Sequence, residues 1–427
     1  MAVLVIATLD TKVEDIAYLS GLIEQLGARC IVMDASTREG VEDLPAGVGL
    51  ISRETVARAA GSSMETIAAM PRGDAVSAMR AGIETLCTGL AQRREIHGAV
   101  CVGGAGAHLA GPAFQALPLG FPKLVVSPLA SGIRTFEPYV GLRDVAVLHS
   151  VVDIAGVNSV TSRVYRETAG YIVGAARACA DNRTPDRFGP TIAFSMNGNT
   201  TPALVRAKDR LEQLSMSCVA FHANGVGGRA LEGFIASGQA VGVLDYTTTE
   251  LAARVVGGLM DPGPSRMEAA GRHGIPQVLV PGCVDFITCG RWEETERQFP
   301  DRPLFRHNPE LTLVRLNRDE MRQMGELFAE KANLAAGSTV ICVPTHGFSV
   351  PDTEGGAFWD PEADAIFTQT LRDRVNANVA VELVPAHVND HAFVDVVVQR
   401  LVELIDSSTA PVAHANVHQL SPIKHPR

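Results

Sequence analysis

The residues able to do chemistry in this sequence share one recurring context. An apolar strand runs into a turn of Gly, Ser, Thr, Asn or His, and a helix follows. Residues 99–106, AVCVGGAG, show it most clearly, ending in Gly103, Gly104, Ala105 and Gly106 with His108 just beyond. ATLDTK, SPLASG, FSMNGNT, FHANGVGG, LDYTTTE, VPGCVDF and VPTHGFS repeat it. Glycine lets a backbone come close to a ligand, and freed amides at a helix start suit a phosphate or carboxylate. The turn at 103–111 therefore reads either as an anion site or as a plain tight turn. It is not the dinucleotide fingerprint, because Leu109 stands where the third glycine belongs, and no GxxxxGK[ST] occurs anywhere.

Asp10, Thr11 and Lys12 end the first strand. On one reading Asp10 or Thr11 simply caps the next helix. On the other, Lys12 reaches a phosphate and Asp10 meets a sugar or a hydrated Mg²⁺. Ser131 and Gly132 add hydroxyl and amide donors on a neighbouring turn. In the second half, FHANGVGGRALEGFI delivers His222, Asn224, Gly225, Gly227, Gly228 and Arg229. A histidine titrating near neutrality, ahead of a glycine turn and a basic helix start, suits an anionic ligand; the alternative is a histidine that is only hydrogen-bonded. Asp245, Thr247 and Thr248 stand at another strand end, where the threonines are ligand contacts or caps. His346 and Asp352 follow in VPTHGFSVPDTEGG. His222, Asp245 and Asp352 are the candidate catalytic side chains. No metal is assigned to them, because they lie far apart in sequence and no HxxxH or HExxH spacing joins them. The absence of GxSxG disfavours a serine hydrolase.

Such turns must be carried by strand–helix alternation. Strands are predicted at 2–7, 29–34, 98–103, 123–127 and 145–148, with helices at 13–27, 74–93 and 159–180. The charged, proline-bearing segment 181–190 reads as a boundary. Strands at 191–195, 217–221, 240–245, 276–280, 311–315, 338–343 and 379–384 then restart the rhythm, separated by helices. The fold class is α/β: two Rossmann-like domains, 1–183 and 190–407, with mainly parallel sheets covered by helices on both faces. A loose tail is expected over 408–427.

Bulk composition limits the partners. A formal charge of −10 and only 5% aromatic residues disfavour nucleic acid, which needs clustered cations and stacking platforms. No apolar run of about 18 residues occurs, so no membrane span is expected. Eight cysteines without CxxC spacing, several inside apolar runs, fit buried thiols in a reducing cytoplasm.

The order of these motifs resembles one family. GGAGAHLAGPAFQALPLGFPKLVVSPLASG, HSVVDIAGVN, FHANGVGGRALEGFIASGQAVGVLDYTTTE, VPGCVDF, RHNPELTLVR and VPTHGFSVPDTEGGAFWDPEAD together are similar to the amino-terminal ATP-binding domain of the tomato mosaic virus resistance protein and its bacterial relatives. The resemblance covers about residues 2–405. It implies a two-domain fold, ATP carried with Mg²⁺, and a homodimer. It places the phosphates over Gly103, Gly104, Ala105 and Gly106 with Lys12, Ser131 and Gly132 nearby. Ala105, Ala107 and His108 depart from the family's Gly-, Ser- and Thr-richer turn, which implies that His108 replaces a hydroxyl contact. The antiviral role depends on a surface matched to one partner and is not carried over.

The expectation is a cytoplasmic ATP-binding protein, an ATP-dependent enzyme of small-molecule metabolism with an anionic second ligand over His222–Arg229. Two alternatives stay open. One is a non-catalytic module regulated by ATP. The other is an aldolase- or hydrolase-type enzyme that uses the second domain without nucleotide.

Overall fold

The computed structural model describes residues 1–39, 44–128, 140–180 and 189–409. Ser131, Gly132, most of the boundary segment and residues 410–427 of the expected tail lie outside these. The chain divides into two compact units, Met1–Pro185 and Asp186–Arg427.

The first unit is built on a six-stranded parallel sheet. Its strands are β1 (Ala2–Ala7), β2 (Arg29–Asp34), β3 (Gly49–Ile51), β4 (Gly98–Val102), β5 (Lys123–Ser127) and β6 (Ala146–His149). They lie in the order β3-β2-β1-β4-β5-β6. Every residue of β1 is buried, as a central parallel strand covered on both faces requires. Leu4 and Ile6 pack with Met79, Ile83 and Cys87 of the helix Arg72–Gln92. Val3 and Val5 pack on the opposite face with Ile16, Leu19 and Ile23 of the helix Leu9–Gln25 and with Ile172 of the helix Thr161–Ala180. Leu26, the C-cap of the first helix, is exposed.

A second six-stranded sheet carries the other unit. Its strands are β7 (Thr191–Met196), β8 (Ser217–His222), β9 (Gly242–Thr247), β10 (Gln277–Gly282), β14 (Thr339–Pro344) and β15 (Ala380–Val384), in the order β15-β14-β10-β9-β7-β8 and parallel throughout. Residues 311–315 do not join this sheet. β13 (Thr312–Arg315) lies between β11 (Phe286–Cys289) and β12 (Leu304–Arg306) in an antiparallel three-stranded sheet. The strand was predicted correctly but its partners were not, because short β11 and β12 lack a periodic signal of their own. Both fold predictions otherwise hold: two Rossmann-like α/β units with mainly parallel sheets.

Strand order fixes where ligands fit. In open α/β sheets the crevice lies at the carboxyl ends of the strands, where the order reverses. The reversal falls between β1 and β4 in the first unit, and between β7 and β9 in the second.

Candidate functional site

At the first reversal there is an open pocket of about 790 Å³, within the range of roughly 300–1,000 Å³ typical of small-molecule sites. Asp10, Thr11 and Lys12 from the β1 turn and Gly104 and His108 from the β4 turn line it together. Gly103 lies buried behind them, its amide donating to the Val126 carbonyl at 3.0 Å. Ala105 and Gly106 open the 3₁₀ turn that leads to His108. A Cβ at Gly104 would meet nothing within 4 Å, so the turn leaves open space on that side. Lys12 breaks the regular path of its helix, with φ −134° and ψ 20°, and its ammonium donates to the Ile154 carbonyl at 3.2 Å. An ammonium has three donors, so capacity remains for a ligand.

Three charged lining residues were not singled out in the sequence: Arg38, Arg72 and Asp153. Charge among the described lining residues comes from Lys12, Arg38 and Arg72 against Asp10 and Asp153, with His108 beside them. On a chain of net charge −10 this pocket is locally cationic. Its apolar wall is Ile67, Met70, Ala75, Val76 and Leu109. The amides of the first helix start are already partly used. Leu9 donates to the Asp34 carboxylate at 3.2 Å, and Asp10 donates to the Ser36 hydroxyl at 3.1 Å. The signal for this side was available, since VMDASTR repeats the strand-to-polar-turn pattern at the end of β2.

The second unit treats its reversal differently. Arg266 lies wholly buried among Asp245, Glu250 and Glu232. Its Nε donates to Glu250 at 2.6 Å, and its two terminal nitrogens both reach Asp245. The Ser195 hydroxyl donates to Asp245 at 2.7 Å and accepts from the Thr247 amide at 2.8 Å. Glu250 also accepts from the amides of Gly225 and Gly228, at 2.5 and 3.1 Å. The helix start at Val226 thus receives an anion from the chain itself. A Cβ at Gly228 would lie 2.2 Å from that carboxylate, and one at Gly227 would lie 1.9 Å from the His222 carbonyl. Close packing alone therefore demands both glycines.

Exposed Asn224 accepts from the Gly227 amide at 2.9 Å, and Arg229 is half-buried on the helix. Thr247 and Thr248 are buried, bonded to the Thr200 hydroxyl at 2.7 Å and the Val280 carbonyl at 3.1 Å. His222 and His346 are exposed. No hydrogen bond or ion pair among the described residues joins His222, Asp245 and Asp352 to one another. No group of three or more His, Cys, Asp or Glu among the described residues is arranged to hold a metal ion.

Asp352 belongs to a separate buried cluster with Asp285, Asp364 and Arg315. It accepts from the Phe348 amide at 2.8 Å; Asp285 accepts from the Ser349 hydroxyl at 2.7 Å; Arg315 donates to Asp364 at 2.6 Å. One oxygen each of Asp285 and Asp352 is buried with no hydrogen-bond partner. Burial first, and then the charge of Asp352, push the Asp285 carboxyl up to about 7 against the pull of Arg315. Burial and the charge of Asp364 likewise push Asp352 up to about 7. A carboxyl that holds its proton more tightly in the fold stabilises the fold fully below the ordinary aspartate range. That contribution is lost as pH rises through the folded value, here near 7. The thermal midpoint is therefore expected to fall between pH 5 and pH 8. Asp352→Asn, which supplies a neutral side chain of the same shape, should flatten that fall and raise the midpoint at pH 8. An unchanged slope in the variant would exclude this cluster as its source.

Two parallel α/β units, each with strand-end turns gathered at the reversal of its sheet, define a tandem Rossmann-like protein. The chain belongs to the uncharacterised protein family UPF0261: residues 1–181 match its N-terminal domain and residues 189–405 its C-terminal domain. It is 35% identical over 407 residues to a UPF0261 protein of Clostridium tetani, covering 95% of this chain and 99% of that one. A UPF0261 protein of Rhizobium meliloti is 35% identical, with 92% and 96% covered. The tomato mosaic virus (ToMV) susceptible protein tm-1(GCR26) of Solanum lycopersicum is 32% identical over 423 residues, 94% of this chain but 56% of the tomato protein. The resemblance carried by the motifs is thus borne out at the level of family. No helix among the described residues is long and apolar enough to cross a membrane.

Proposed function

We propose that this chain binds a nucleoside polyphosphate, Mg²⁺-ATP by class, in the pocket of the first unit, and uses it in small-molecule metabolism. One observation carries the reading. Lys12, His108 and the open side of Gly104 converge from two strand-end turns on one locally cationic pocket at the sheet reversal. The phosphates lie against Gly104, Lys12 and His108. Asp10 and Asp153 hold the hydrated Mg²⁺, which usually takes one or two carboxylates beside the phosphate oxygens. The apolar wall of Ile67, Met70 and Val76 receives the base. The anionic second ligand assigned from sequence to the His222–Arg229 turn finds less support, since Glu250 already occupies the amides of Gly225 and Gly228.

Isothermal titration of the full chain with Mg²⁺-ATP tests this. Saturable binding is expected, and at about 100 times its dissociation constant ATP should add roughly 2.7 kcal/mol of apparent stability. Lys12→Ala should weaken binding by about 10- to 150-fold, the worth of one hydrogen bond to a charged group, about 1.5–3 kcal/mol. Absence of binding at millimolar ATP sinks the proposal. Formation of ADP or AMP with candidate carboxylates would then separate an enzyme from a module that ATP only regulates.

A further inference from the structure

The same pocket carries two arginines, from the β2 end and from the start of the helix Arg72–Gln92, and we infer that they select nucleotides whose ribose carries its own phosphate. The inference rests on nucleotide binding as proposed above and goes beyond it. In Rossmann-like sheets the end of β2 reads the ribose: a free acidic side chain there accepts from the ribose hydroxyls, whereas a nearby arginine accommodates a ribose phosphate. Here β2 ends in Asp34, which is buried. One of its oxygens accepts from the amides of Leu9 and Ser36, at 3.2 and 2.9 Å, and from the Ser36 hydroxyl. The acid is committed to holding β2 against the first helix start. It faces the protein's own donors rather than a sugar.

What the β2 end offers to the pocket instead is Thr37 and Arg38. Arg72, the first residue of the helix Arg72–Gln92, lines the same pocket. Neither arginine makes a hydrogen bond or ion pair among the described residues. Exposed arginines without partners are common, and solvent alone would satisfy them. Two features set this pair apart. Both line the cavity that holds Lys12 and Gly104, and the two described acids of the lining come from other segments, Asp10 from the β1 turn and Asp153 from the segment after β6. The Lys12–Ile154 bond ties that second segment to the β1 turn. Among the described lining residues, the β2 end and the start of the helix Arg72–Gln92 contribute arginines and no acid. A guanidinium binds phosphate with paired donors, and two of them match a dianionic monoester better than a neutral diol.

Titration of the full-length chain with adenosine 5′-diphosphate, adenosine 2′,5′-bisphosphate and adenosine 3′,5′-bisphosphate tests the assignment. The diphosphate has the same number of phosphates, both on the 5′ chain, and so controls for phosphate number. At least one bisphosphate should bind about tenfold or more tightly than the diphosphate, and the preferred isomer identifies the ribose position read. Arg38→Ala combined with Arg72→Ala should abolish that preference, weakening the preferred bisphosphate about tenfold or more beyond any loss for the diphosphate. Both substitutions are at exposed positions, so the fold should be kept, and a thermal unfolding curve checks it. Equal affinities in the wild type, or equal losses for all three ligands in the double variant, would overturn the ribose-phosphate assignment and leave nucleotide binding standing. No binding of any nucleotide would overturn both.

Discussion

Arg266→Met is expected to destabilise the second unit by about 3–5 kcal/mol, because it strips the cation from three buried carboxylates. The arginine side chain is fully buried, and Asp245, Glu250 and Glu232 are buried around it. Each carboxylate also organises backbone. Glu250 holds the amides of Gly225 and Gly228, while Glu232 holds those of Met267, Glu268 and Ala269. Loss of Arg266 leaves excess negative charge on which these turns depend. Arg266→Lys should rescue little, since a single ammonium cannot bond Asp245 through two nitrogens while a third reaches Glu250. Urea unfolding followed by circular dichroism measures both variants. A loss below about 1 kcal/mol for the methionine variant would show that the carboxylates are satisfied some other way.

The sequence made most of this fold legible, and the reason is physical. Central parallel strands are buried on both faces, so they appear as continuous apolar runs, as in AVLVIA and AVCVGG. Strand ends followed by polar turns marked the rim on which Lys12, Gly104 and His108 meet. What was not legible depends on contacts between distant segments. Arg266 lies in the irregular stretch GPSRME, and nothing local says that it will be the counter-ion of Asp245 and Glu250. The sequence FHANGVGGR looks like an anion-binding turn and is one, but its anion is Glu250, 22 residues beyond Gly228. Local pattern identified the donors in that turn; only the tertiary fold identified the acceptor. Asp34 makes the same point in the first unit, where a strand-end acid is consumed by Leu9 and Ser36.

The two reversal points thus differ in a way that predicts function. In the second unit a buried arginine and an internal carboxylate fill the polar interior at the strand ends. In the first unit the equivalent position opens into the pocket beside Gly104. Gly104→Asp is therefore expected to abolish nucleotide binding with little loss of stability. The new side chain meets no protein atom within 4 Å at its Cβ, so the fold tolerates its first carbon. Its carboxylate would occupy the space assigned to phosphate. Two unit charges about 4 Å apart repel by about 4 kcal/mol at an effective dielectric of about 20. That corresponds to roughly a thousandfold loss of affinity for each close phosphate charge, beyond detection for a micromolar ligand. Gly104→Ala adds the carbon without the charge and should keep binding within about tenfold, so the pair separates repulsion from backbone effects. Titration with ATP and a thermal unfolding curve for both variants decide the matter. Full binding by the aspartate variant would remove the phosphates from the β4 turn, and Lys12 would then need a different ligand to explain its place in the pocket.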